Sequence, residues 1–124
     1  NLDYTVGGLT NYSFYSKALK IFLKKIKKPK FYFFSTRNIN IDNLLRNVKD
    51  FQKYDKKIIT REEGYKSDIQ TLWLLSNFRN LIISNSTFYW WGAYFAQSKF
   101  SDLNVVSSNK FPNKDANLKK WILI

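Results

Sequence analysis

Short, mostly apolar runs alternate along this chain with longer stretches in which apolar residues recur every three or four positions. Phe31-Tyr32-Phe33-Phe34, Lys57-Ile58-Ile59-Thr60, Leu81-Ile82-Ile83 and Leu103-Asn104-Val105-Val106 belong to the first kind. Their brevity and their β-branched or aromatic content predict strands. The aromatic run at Phe31 predicts a strand buried on both faces, as in a parallel sheet. Between the strands lie helical patterns. From Asn11 to Ile26, residues Phe14, Ala18, Ile21, Phe22 and Ile26 fall on one helical face with lysines between them. Ser13 or Asn11 can cap that helix, and Pro29 stops it. Ile41 to Val48 predicts a second helix, with Leu44, Leu45 and Val48 inward. A third starts at Ser67 or Asp68 and runs to about Asn77, carrying Ile69, Leu72, Trp73 and Leu75. A fourth spans Phe88 to Gln97. Asn1 to Thr10, with Gly7-Gly8, reads as a loop, and Pro112-Asn113 opens another before the apolar end Trp121–Ile124. Strands alternating with helices imply right-handed crossovers and an α/β fold: an open, mostly parallel sheet with flanking helices, in one domain covering 1–124.

In such a sheet, ligands sit beyond the carboxyl ends of the strands. Three predicted strand ends carry small polar residues: Ser35-Thr36, Thr60, and Ser84-Asn85-Ser86-Thr87. The last of these passes directly into the aromatic helix Phe88-Tyr89-Trp90-Trp91-Gly92-Ala93. The free N–H groups of a helix's first turn, with its dipole, favour an anion there. Ser86 and Thr87 also suit a plain N-cap and first turn, and Asp68 suits a helix cap. Trp90 and Trp91 point about 100° apart on a helix, so they cannot share a layer. One packs on the sheet, and the other borders an interface or a cleft. Neither GxGxxG nor GxxxxGK[ST] occurs, which argues against a standard dinucleotide fold or P-loop.

Composition narrows the chemistry. The 124 residues are 44% hydrophobic and 19% aromatic, enough for a real core, so this is not a disordered chain. There is no cysteine and no histidine, which removes disulfides, thiolate chemistry, histidine acid–base catalysis and histidine-ligated metal. No carboxylates are spaced for general acid–base work, and Glu62-Glu63 fall in an exposed loop. No apolar run nears the roughly 20 residues of a membrane span, and no secretory signal is visible. With no Met and a start at Asn1, the chain reads as the C-terminal part of a longer protein. The formal net charge is +12, which suits nucleic acid, an anionic membrane surface or a phosphorylated small molecule. Much of it crowds between Lys17 and Lys30, where Lys24, Lys25, Lys27 and Lys28 form either a solvated face or a membrane-facing, anion-binding patch.

The stretch Asn80-Leu81-Ile82-Ile83-Ser84-Asn85-Ser86-Thr87-Phe88-Tyr89-Trp90-Trp91-Gly92-Ala93 resembles the C-terminal pattern of glycosyltransferase family 11, roughly I-I-x-N-S-[ST]-F-[ST]-W-W-x-A. This family comprises α-1,2-fucosyltransferases and related bacterial O-antigen enzymes. Tyr89 departs from the pattern, which has a small hydroxyl residue there. Phe14-Tyr15-x-x-Ala18 resembles the family's helix after its first motif, Phe33-Phe34-Ser35-Thr36 resembles its [FI]-F-S-D, and Trp121 fits a tryptophan after the last strand. Thr36 replaces an Asp, which puts a nucleoside contact in doubt. The family's H-x-R-R-G-D motif, whose arginine is expected at the donor phosphates, does not occur here.

The resemblance implies a metal-independent, inverting transferase built of two Rossmann-like domains, this chain being the C-terminal, donor-binding one. No cofactor is implied, and GDP-fucose is the donor substrate. The donor-binding residues implied are Ser35, Thr36, Ser84, Asn85, Ser86, Thr87, Phe88 and Trp90, with the catalytic residues expected upstream of Asn1. The acceptor is a galactose-containing glycan, including lipid-linked ones. The setting implied is cytoplasmic, with peripheral contact at the inner face of the cytoplasmic membrane. Without the upstream motif, these residues alone are expected to be inactive. Two other readings stay open: a basic module for nucleic acid or an anionic membrane surface, and an inactive remnant of the family. The helix–strand alternation suits no known nucleic-acid module, so no nucleic-acid partner is expected.

Overall fold

The computed structural model describes residues 11–109, 118 and 120–124. The predicted loops at Asn1–Thr10 and after Pro112 lie outside these residues. Helix α1 spans Tyr12–Leu23, and Asn11 caps it by accepting from the Phe14 N–H at 3.0 Å. The helix stops short of Ile26. Four lysines in the five positions after Leu23 repel one another, and Lys25 and Ile26 instead donate their N–H groups to the Phe22 carbonyl. One face of α1 buries Phe14, Tyr15, Ala18, Leu19 and Phe22.

Strand β1 (Lys30–Phe34) pairs in parallel with β2 (Asp55–Ile59). Helix α2 (Asn38–Asn47) connects them, followed by a short 3-10 turn at Lys49–Lys53. That turn drives Phe51 into the core, where its ring meets Phe31 and Phe33 edge-on at 5.1 and 5.3 Å. Helix α3 (Asp68–Leu75) leads to β3 (Asn80–Ile83), and α4 (Thr87–Lys99) leads to β4 (Asn104–Ser107). Strands β3 and β4 pair in parallel, and so do β4 and β5 (Ile122–Leu123).

The mixed α/β architecture with parallel strands is the expected one, but the sheet is split. Strands β1–β2 form one sheet and β3–β4–β5 another. The facing edges of β1 and β3 border an aromatic slot of about 410 Å³, lined among others by Phe33, Phe78, Ile82 and Tyr89. The split explains why β1 is not buried on both faces. Phe33 is buried, whereas Tyr32 is exposed at the slot and rests on Phe78, ring centroids 4.9 Å apart.

Two cores hold the layers. Helices α1 and α2 pack with Phe33, Phe51 and Val106. Helix α4 packs with Leu75, Leu81, Ile83, Val105 and Trp121. Small residues bring α4 close: Gly92, Ala93 and Ala96 are its buried positions. A Cβ built on Gly92 would stand 3.0 Å from Leu75 Cβ, so glycine sets how closely α3 and α4 approach.

Candidate functional site

The carboxyl ends of β1, β2 and β3 open on one cleft of about 220 Å³. Ser35 and Thr36 enter it from the end of β1, Thr60 and Arg61 from the end of β2, and Ser86 and Phe88 from the start of α4. The three polar strand ends thus converge, as parallel strands running the same way require.

Local structure holds each one. The Asn40 amide donates to the Ser35 hydroxyl at 2.8 Å, and the Thr60 hydroxyl donates to Asn38 Oδ1. After Thr60 the chain makes a closed turn. The N–H groups of Glu63 and Tyr65 both donate to the Thr60 carbonyl at 3.1 Å. Gly64 completes the turn with φ 95°, a conformation that glycine reaches without a Cβ penalty. The turn returns Tyr65 to the cleft wall beside Arg61. Ser67 caps α3 by accepting from the Gln70 N–H at 3.3 Å. Asp68 is therefore spared for another partner: its Oδ1 receives Arg61 Nη2 at 2.6 Å, and both residues line the cleft. The neighbouring carboxylates turn away, Glu62 to Arg37 and the Asn38 N–H, Glu63 to the Asn38 side chain.

At the start of α4, Ser86 occupies the cap position with extended backbone, but its side chain makes no capping bond. The first intrahelical bond runs from the Trp90 N–H to the Ser86 carbonyl at 3.0 Å. The first-turn amides are thus not capped by that hydroxyl, at the place where a helix favours an anion.

The remaining residues singled out in the sequence sit around this cleft rather than in its wall. Ser84 is buried and lines the aromatic slot; its hydroxyl makes no hydrogen bond among the described residues. Asn85 is buried, and Thr87 is exposed in the first turn of α4. Trp90 is half-buried, stacked on Tyr94 at 5.3 Å and 6.0 Å from Trp121, while Trp91 is exposed. The two rings nonetheless meet edge-on, with centroids 4.9 Å apart, so the helical angle separates their exposure but not their contact. Lys24, Lys25, Lys27 and Lys28 are exposed at the opposite, amino-terminal edge of the strands, where Lys25 donates to Asn104 at 3.3 Å.

Tyr89 divides the two cavities and lines both. Its hydroxyl donates to the Phe34 carbonyl at 3.2 Å, a bridge from α4 to β1. Burial pushes its pKa far up. Tyr15 is raised too, first by burial and then by nearby Tyr89; the adjacent Ser84 hydroxyl offsets a little of this without hydrogen-bonding geometry. Both phenols therefore remain protonated throughout the neutral range.

Arg61, Tyr65 and Thr71 are the cleft residues that a reading of the sequence does not single out. The signal available for Arg61 was its position: it directly follows a polar strand end. Chemically, the cleft offers hydroxyl donors, one guanidinium, one carboxylate and three rings, a set suited to a polar, anionic ligand with a flat group.

No curated protein and no solved structure matches the chain. The model of glycosyl transferase family 11 matches residues 4–124, which takes in all three strand ends of the cleft and the aromatic helix beside it. The chain therefore belongs to glycosyl transferase family 11, the fucosyltransferase family.

Proposed function

We propose that the cleft binds the GDP moiety of GDP-fucose, and that the chain is the donor-binding part of an inverting α-1,2-fucosyltransferase. The observation that carries this reading is the convergence of Ser35, Thr36, Thr60 and Ser86 on one cleft beside a helix start that the Ser86 hydroxyl does not cap, in a family of sugar transferases. In the reaction, the hydroxyl oxygen of a galactose-containing glycan attacks the fucose anomeric carbon. The bond from that carbon to the β-phosphate oxygen breaks, GDP leaves and the configuration inverts. Negative charge grows on the β-phosphate as the bond breaks. Fixed donors aimed at those oxygens stabilise it. Here they are Ser86, Thr87 and the first-turn N–H groups of α4, with Ser84, Asn85, Phe88 and Trp90 shaping the turn.

The H-x-R-R-G-D arginine belongs beside the same phosphates and is not among the 124 residues. We take the transfer step to draw on it from outside this stretch, which by itself binds donor without turning it over. The reaction on this reading needs no metal. The acceptor belongs to O-antigen or related polysaccharide, including lipid-linked forms. The lysine edge then holds the enzyme to the inner face of the cytoplasmic membrane.

The test is titration calorimetry with GDP on the protein and on a Ser86→Ala, Thr87→Ala double variant. A net hydrogen bond to a charged group contributes about 1.5–3 kcal/mol, so affinity is expected to fall by tenfold or more. Unchanged GDP affinity in the double variant would refute the assignment.

A further inference from the structure

We infer that the Arg61–Asp68 pair reads the base of the nucleotide and selects guanine. The inference rests on the donor-cleft reading above and adds to it the recognition of the nucleoside. Arg61 and Asp68 enter the cleft from the turn after β2 and the first turn of α3. Ser86 enters it from the end of β3. Strand β1 stands between β2 and β3, and neighbouring strands lie about 4.8 Å apart. The pair therefore enters the cleft on the far side of β1 from the start of α4. A nucleotide whose phosphates meet α4 carries its base toward Arg61 and Asp68.

The chemistry of the pair matches one base. Guanine presents O6 and N7 as acceptors and its 2-amino group as a donor, whereas adenine puts a 6-amino donor where guanine has O6. An arginine can donate to O6 while a carboxylate beside it accepts from the N1–H and the 2-amino group along the same edge of the base. Asp68 Oδ1 holds the guanidinium, while Oδ2 makes no hydrogen bond among the described residues. Tyr65 lines the same end of the cleft and supplies a ring on which a base can stack. Glu62 and Glu63, the other acidic residues of this turn, are engaged with Arg37 and Asn38. Asp68 is thus the carboxylate of the cleft wall.

The pair has little structural work to do. The two side chains are 55% and 70% exposed, and an exposed ion pair contributes little to folding. Its geometry is nonetheless close, at 2.6 Å. A guanidinium already oriented by a carboxylate gives a pre-formed donor–acceptor surface for a base edge.

The experiment compares GDP, IDP, ADP and UDP by calorimetry on the protein and on Asp68→Asn. IDP keeps O6 and N7 and lacks the 2-amino group. The protein is expected to prefer GDP to ADP and UDP by about tenfold or more, and GDP to IDP by several-fold. Asp68→Asn is expected to lower GDP affinity by about tenfold while ADP affinity stays level, so that the GDP-to-IDP preference disappears. Equal binding of GDP and ADP by the unaltered protein overturns the base assignment and leaves the donor cleft standing. So does a loss in Asp68→Asn that is the same for GDP and ADP, or no loss at all. Failure of all four nucleotides to bind removes the donor cleft itself, and the base assignment with it.

Discussion

Gly92→Ala isolates one contact of the aromatic helix in a single methyl group. Two effects oppose each other. Alanine is favoured over glycine inside a helix by about 1 kcal/mol, so an unobstructed site would gain that much stability. At position 92, however, the new Cβ would stand 3.0 Å from Leu75 Cβ and 3.2 Å from its Cδ1. The Cδ1 can turn aside, but Leu75 Cβ moves only with the backbone of α3. Leu75 is 4% exposed, so the site has little room to relax. Overpacking a filled core costs about 1–3 kcal/mol. The steric term therefore wins, and we expect net destabilisation of about 1 kcal/mol, or roughly 4 °C in Tm for a domain of this size. Urea unfolding followed by tryptophan fluorescence measures it, with the midpoint falling at constant slope. Leu75→Ala keeps the opposing Cβ, so Gly92→Ala should cost nearly as much in that background, and a double-mutant cycle reads the small coupling directly. A rise in the urea midpoint on Gly92→Ala would show that α3 yields freely, and the argument for a glycine-set helix approach would fail.

Three further outcomes follow from the same geometry. Tyr89→Phe removes the hydroxyl that bridges α4 to the Phe34 carbonyl and should cost about 1 kcal/mol in urea unfolding, more if that carbonyl is left dry; an unchanged midpoint would mean the bridge carries no weight. Tyr15 and Tyr89 have raised pKa values in the folded protein against about 10 when unfolded, so their contribution is complete below pH 10 and is lost as pH climbs above it. Stability should fall steeply there, and Tyr15→Phe should flatten the fall; an equal slope in that variant would rule the buried phenol out as the cause. Changing Lys24, Lys25, Lys27 and Lys28 to Gln should weaken sedimentation with anionic vesicles by several-fold at low salt, since each lysine near such a surface contributes about 1 kcal/mol or less; equal binding to neutral vesicles would remove the membrane role.

The strands and helices were largely legible because each announces itself locally, by an apolar run or a helical face. Asn11 and Ser67 punctuate them as their chemistry requires, whereas α1 ends at Leu23, well before Pro29. Helix α2 was placed three residues late because its first turn is held from a distance. Asn40 bonds Ser35, and Asn38 bonds Thr60, Glu62 and Glu63, where a local capping residue would otherwise mark the start. The turn at Lys49–Lys53 escaped notice because its one buried side chain, Phe51, makes no periodic pattern. The convergence of Ser35, Thr60 and Ser86 could be anticipated, since parallel strands end on the same side. Tyr65 could not, because a glycine turn brings it there, and Arg61 was marked only by its place after a polar strand end. The split between β1 and β3 had no sequence signal, as strand partners are chosen across the fold.

That split also gives the cleft a mechanical meaning. Thr36, Thr60 and Arg61 belong to the half built on β1 and β2, and Ser86 to the half built on β3, β4 and β5. Among the described residues no ladder of backbone bonds joins the halves; the Tyr89 bridge, packed rings and the core under α1, which takes in both Phe33 and Val106, do. A molecule that spans the cleft is then a cross-link, fastening two rafts along their open seam. Its binding energy goes partly into cohesion of the two halves.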